Sequence, residues 1–160
     1  MRTGVKTRFI ILSALTFLAG CMPSSYKTGS GTGPKTGYLR FNDDSVTRVQ
    51  WTQAGQKLEG TIDALERKPD GKIESAAFVF YGELNGEIVS LTLDSATTRD
   101  GYHRLGKTIT GDLRGDTLTL PPVNGADGAP PVVFRLAGLK EFADAVENLQ
   151  KRAKTTETAK

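Results

Sequence analysis

Between Tyr38 and Leu136 the chain keeps one rhythm: short runs in which apolar and polar residues alternate, each cut by a turn. A period of two puts successive side chains on opposite faces of a strand, so each run suits a sheet with one buried face. Tyr38-Leu39-Arg40-Phe41 stops at Asn42-Asp43-Asp44. Val49 and Trp51 share a side of the next run, and Leu58, Gly60, Ile62 and Ala64 share a face of the one after it. Pro69-Asp70-Gly71-Lys72 reads as a reverse turn, because Pro presets φ and Gly accepts the left-handed conformation. Phe78 and Phe80 then oppose Val79 and Tyr81, and Val89, Leu91 and Leu93 form a further face. Asn85-Gly86, between those two runs, is the strongest hairpin signal in the chain. Turns spaced roughly 8–15 residues apart predict an all-β fold, an antiparallel meander barrel or sandwich of about eight strands.

A weak internal echo supports the meander. Gly82-Glu83-Leu84-Asn85-Gly86-Glu87-Ile88-Val89-Ser90-Leu91 lines up with Gly111-Asp112-Leu113-Arg114-Gly115-Asp116-Thr117-Leu118-Thr119-Leu120, and Gly55 to Ile62 is a looser copy. Its content is a strand, a tight turn at Leu-x-Gly and a returning strand; so few copies make repeated hairpins rather than a solenoid. Residues 121–131 form a long loop flanked by prolines, and Val132 to Leu136 a closing strand. After Gly138 the period changes: Leu139, Phe142, Val146, Leu149 and Ala153 fall at helical spacing, with Lys140, Glu141, Asp144, Glu147 and Gln150 opposite. This predicts one C-terminal amphipathic helix over 138–153, packed across an opening or edge of the β structure, and a frayed tail over 154–160.

The other end of the chain has a different character. Arg2, Lys6 and Arg8 precede the apolar run Phe9 to Gly20, which is shorter than the ~20 residues a membrane-spanning helix needs. A basic start, a short apolar segment and small residues before a cut are the layout of a secretory signal peptide. The run ends in Leu18-Ala19-Gly20-Cys21, which resembles the lipobox of bacterial lipoproteins. The resemblance implies cleavage after residue 20 and a diacylglycerol on the sulfur of Cys21. Acyl chains hold a soluble domain firmly on a membrane, since each buried methylene contributes about 0.8 kcal/mol. It implies an extracytoplasmic, lipid-anchored protein of the cell membrane or outer membrane. Met22, rather than Asp, follows Cys21, so under the family's sorting rule a host with two membranes would not keep it on the inner one. Residues 21–37 are then the lipidated N-terminus and a Gly/Ser/Thr-rich tether, whose coil reaches roughly 20–25 Å. Residues 38–153 are the folded domain.

Within that domain, Trp51, Gly55-x-x-Leu58-x-Gly60, Phe78-x-Phe80-x-Gly82-x-Leu84-x-Gly86 and Gly111-x-Leu113-x-Gly115-Asp116, followed by a helix, resemble a group of uncharacterised small exported bacterial β proteins. The similarity spans residues 38–152. Its motifs are turns and core, so it implies a fold and carries no activity.

Charge excludes one class of partner. The chain has 21 Lys and Arg against 18 Asp and Glu, but Arg2, Lys6 and Arg8 lie in 1–20, so the remainder carries 18 of each. Basic residues never cluster beyond pairs such as Arg67-Lys68 and Lys151-Arg152, so a phosphate-binding face, and with it nucleic acid, is not expected. With Cys21 lipidated no thiol remains for a disulfide or a metal.

Catalytic inventory is thin. His103 is the single histidine, set in the polar turn 99–104, and zinc sites built on imidazole need two or three. Glu59, Asp63 and Glu66, or Glu83 with Glu87, are candidate acid/base pairs, but they sit at polar strand positions that favour solvated charges. Neither Asp43-Asp44 nor the loop at Asp127 has calcium-loop spacing. Arg114-Gly115-Asp116 matches an adhesion tripeptide, yet the repeated turn pattern already accounts for its Gly and Asp. No catalytic residue, metal or cofactor is expected. The sequence instead predicts a non-catalytic ligand-binding or accessory module, contacting an apolar or glycan ligand or an envelope protein through aromatics such as Trp51, Tyr81 and Tyr102. The alternatives are a protein-interaction module, an inhibitor or complex subunit, and a hydrolase of unrecognised type.

Overall fold

A computed structural model describes residues 36–123 and 128–158. The signal and lipobox expectations, most of the tether and the last two residues lie outside the described residues. The strands are β1 (Thr36–Phe41), β2 (Ser45–Ala54), β3 (Lys57–Arg67), β4 (Ile73–Asn85), β5 (Ile88–Thr98), β6 (Gly101–Arg114), β7 (Thr117–Leu120) and β8 (Val132–Leu136), followed by helix α1 (Leu139–Thr158). Each strand pairs antiparallel with the next, and β8 pairs back to β1, giving a closed up-and-down barrel. Of the two architectures predicted, the barrel is the one formed.

Alternation explains the interior. Val49, Trp51, Leu58, Ile62, Phe78, Phe80, Val89, Leu91, Leu93, Ile109, Leu118, Leu120 and Phe134 all turn inward and form one buried cluster. Each large side chain moved from water into such a core contributes ~1.5–3 kcal/mol.

The repeated sequence pattern has a concrete meaning at one end of the barrel. Ala54 pairs Lys57, Asn85 pairs Ile88 and Arg114 pairs Thr117, leaving two-residue loops. The hairpin at Asn85-Gly86 therefore turns on Gly86-Glu87, one residue later than the dipeptide signal suggests. Gly86 opens that loop at φ 64°, where glycine carries no penalty. Each loop is also tied to the following hairpin. Leu84 N–H donates to the Gln56 carbonyl (2.8 Å), Leu113 N–H to Glu87 (2.7 Å) and Leu136 N–H to Asp116 (2.7 Å). Gly82 and Gly111, earlier in the repeat, are points of close backbone approach. A Cβ there would lie 2.1 Å from the Ser90 carbonyl oxygen and 2.0 Å from that of Thr119, so only glycine lets the backbones approach.

Helix α1 lies against the outer wall of the barrel, on β1 to β3, rather than across an opening. Leu39 and Val46 turn outward and are buried by Ala145 and Leu149, with Leu65, Ile73, Phe142 and Val146 around them. The Arg48 guanidinium sits 5.2 Å above the Phe142 ring, and Arg152 bonds Asp43 in the β1–β2 turn.

Two boundaries differ from expectation. β1 begins at Thr36, two residues before Tyr38, and the helix runs to Thr158, so residues 154–158 are helical rather than a frayed tail. No Gly or Pro follows Gly138 to stop it. At the start, the Glu141 carboxylate accepts from Gly138 N–H at 2.5 Å, and the pairs Lys140–Asp144 and Glu147–Lys151 support the exposed face.

Candidate functional site

A barrel that holds a ligand keeps an enclosed apolar chamber. Here the interior is occupied by side chains, and a 170 Å³ dimple lies at Pro121, Pro122 and Val123, against Phe78 and Phe134. Ligand pockets usually measure about 300–1,000 Å³. The outer wall of the barrel carries a recess as well.

The larger recess is on that wall. A 420 Å³ open depression crosses β3, β4 and β5 and is lined by Lys57, Glu59, Tyr81, Glu83, Ser90 and Thr92. The register builds it row by row: Lys57 lies opposite Glu83 and Glu83 opposite Ser90, while Glu59 lies opposite Tyr81 and Tyr81 opposite Thr92. All have outward parity, because Phe80, Leu58 and Leu91 between them point inward. Gly82, between Tyr81 and Glu83, also lines the depression. Tyr81 is 55% exposed, an amphipathic ring among carboxylates, an ammonium and hydroxyls. Thr92 shares a hydrogen bond with Thr108 of β6 at 3.0 Å.

The three aromatics singled out in the sequence are not brought together. Trp51 is 2% exposed and stacks on Tyr38 inside the barrel. Tyr81 stands in the outer depression. Tyr102, 54% exposed, belongs to the part of β6 that extends beyond β7. Cys21, with Leu18, Ala19 and Gly20, lies outside the described residues.

The carboxylates are dispersed among partners of other kinds. Glu66 bonds Lys68 at 2.9 Å, Glu87 pairs with Arg114 at 3.1 Å, and Glu83 stands opposite Lys57. His103 is exposed on β6 opposite Ala96. Among the described residues no His, Cys, Asp and Glu group has metal-binding geometry, and no helix is long and apolar enough to cross a membrane. In Arg114-Gly115-Asp116 the last two residues form the β6–β7 loop, and the Asp116 carbonyl is engaged by Leu136.

Two features escaped the sequence reading. The first is a polar cluster on the outer face of β2 and β3. Gln50 Nε2 donates to Thr61 Oγ1 (3.0 Å) and Asp63 Oδ2 (3.4 Å), and Thr61 Oγ1 donates to Asp63 (3.3 Å). Arg48, only 8% exposed, lies opposite Asp63 in the ladder. Burial raises the Asp63 pKa, while the Thr61 hydrogen bond and the Arg48 charge oppose the rise. Its signal was present: Arg48 and Gln50 alternate with Val49 and Trp51. The second feature is a bare length of β6, whose signal is Pro121-Pro122.

No family model, curated protein or solved structure matches the chain.

Proposed function

We propose that this chain is a lipid-anchored, non-catalytic binding module of the bacterial cell envelope, held by acyl chains on Cys21 and meeting a glycan on the outer wall around Tyr81. The observation that carries the ligand assignment is the exposed Tyr81 ring lining the 420 Å³ depression. An aromatic face covers the apolar C–H side of a sugar ring, and Glu59, Glu83, Lys57, Ser90 and Thr92 offer donors and acceptors for its hydroxyls. The anchor rests on Leu18-Ala19-Gly20-Cys21 and the run before it.

Two measurements test this reading. Calorimetric titration of the full chain in detergent with soluble chito- and malto-oligosaccharides is expected to give binding that Tyr81→Ala weakens about tenfold. Binding of none of them at millimolar concentration, or a Tyr81→Ala variant that binds unchanged, overturns the glycan assignment. Mass spectrometry of the processed protein is expected to show diacylglycerol on an N-terminal Cys21. A bare thiol on protein free in the medium overturns the anchor.

A further inference from the structure

β6 is 14 residues long, yet β7 pairs only with its last three, Asp112, Leu113 and Arg114. The cause is chemical. Pro121 and Pro122 follow β7 at once and have no N–H to donate, so the ladder cannot continue. On its other side β6 pairs with β5 out to Gly101, except at Leu105 and Gly106, where the register shifts between Leu93 and Ser95. From Gly101 to Thr108, β6 thus has no ladder partner on its β7 side among the described residues, and every residue in that stretch is exposed. Unpaired strand edges recruit extended chains.

The side chains along this edge give it a sign. Arg99 at the hairpin tip, Arg104 and Lys107 lie within nine residues, against Asp94 and Asp100. Arg99 leans on Glu74 at 3.6 Å, and Lys107 donates to the Val123 carbonyl at 3.0 Å. Arg104 and Lys107 have no carboxylate partner among the described residues. Tyr102 and Leu105 add exposed apolar surface.

We propose that the free edge of β6, from Gly101 to Thr108, takes up an extended acidic segment of a partner protein as an added strand. Main-chain hydrogen bonds supply the attraction and the basic side chains select the sequence. A second copy of this chain fits poorly, because edge-to-edge pairing would bring two sets of Arg99, Arg104 and Lys107 into one ribbon, and like charges across strands repel. This surface is separate from the Tyr81 depression, and neither assignment depends on the other.

The test is hydrogen exchange on the full chain in detergent, with a synthetic peptide of about eight residues alternating Glu and Val as the probe. Amides of 101–108 are expected to slow on its addition. The counterpart alternating Lys and Val is expected to leave them unchanged. The double variant Arg104→Glu with Lys107→Glu, both exposed and outside the core, is expected to bind the acidic peptide about tenfold more weakly. Tyr81→Ala is expected to bind it as the parent does. Equal protection by both peptides, no protection at millimolar acidic peptide, or binding that survives the charge reversal overturns the proposal. Protection that grows with protein concentration alone also overturns it, since the occupant is then a second copy.

Discussion

Tyr38 and Trp51 stack inside the barrel with ring centroids 4.9 Å apart and planes 25° apart. They lie on adjacent strands where Tyr38 pairs Val49, so the rings meet on a diagonal. β1 is also the strand that closes the barrel, through Tyr38 opposite Leu136 and Leu39 opposite Arg135. That seam has few paired residues, and the stack ties it to the long β2–β3 hairpin. Trp51→Ala removes the larger ring from a fully enclosed position and is expected to cost ~3–5 kcal/mol of unfolding free energy. Urea titration followed by circular dichroism measures it. A loss below about 1 kcal/mol would mean that the ring is dispensable to the seam.

Gly82→Ala and Gly111→Ala test the role of the repeated pattern. The added methyl would meet the Ser90 or Thr119 carbonyl oxygen at 2.1 or 2.0 Å, and both belong to paired strands that yield only by shifting backbone. Each is expected to cost ~1–3 kcal/mol, as overpacked sites do. In a domain of this size that lowers the melting temperature by several degrees, by roughly 2–8 °C for each kcal/mol. Thermal melts of the two variants at wild-type midpoints would show that the backbone at these close approaches is pliable.

Leu149→Ala probes the second core. Leu149 is buried between α1 and the outward-facing Leu39 and Val46. The truncation is expected to cost ~2–4 kcal/mol. Because α1 packs mainly on β1, β2 and β3, on the outside of the barrel, the loss is expected to appear first as faster exchange of helix amides, with strand amides still protected. If helix and barrel amides accelerate together, α1 is an integral part of the barrel's cooperative unit.

The sequence made some of this legible and hid the rest for physical reasons. Strand faces were readable wherever one side meets the interior and the other meets water, as at Val89, Leu91 and Leu93. Leu39 beside Tyr38 blurred that signal, because the outward side chain is also buried, under a helix distant in sequence. Barrel and sandwich share the same alternation. They separate only at the β1–β8 pairing, which joins residues far apart in the chain and leaves no local mark. The same limit applied to the surface. Parity put Tyr81 on the face opposite Phe78 and Phe80, where the depression lies. Trp51 gave an aromatic without saying that a second ring would cover it. Pro121-Pro122 announced a loop, but its effect on β6 emerges only once the register sets β7 against Asp112 to Arg114.

Asp63 offers a prediction with a definite sign in pH. Its carboxyl titrates above the ordinary aspartate range, first because it is buried, with the Thr61 hydrogen bond and the Arg48 charge working against that rise. The folded state therefore keeps a proton there that the unfolded chain has already released. Stability from this group is complete below the unfolded value of about 3.9 and falls as pH rises through the folded value. Asp63→Asn removes the ionisation and keeps an oxygen to accept from Thr61 and Gln50. The variant is expected to be at least as stable as the parent at neutral pH and to lack this decline. Urea titrations in steps between about pH 4 and pH 7 measure both curves. A variant that loses more stability the higher the pH would mean that attraction to Arg48 outweighs burial, reversing the ranking of forces at this cluster.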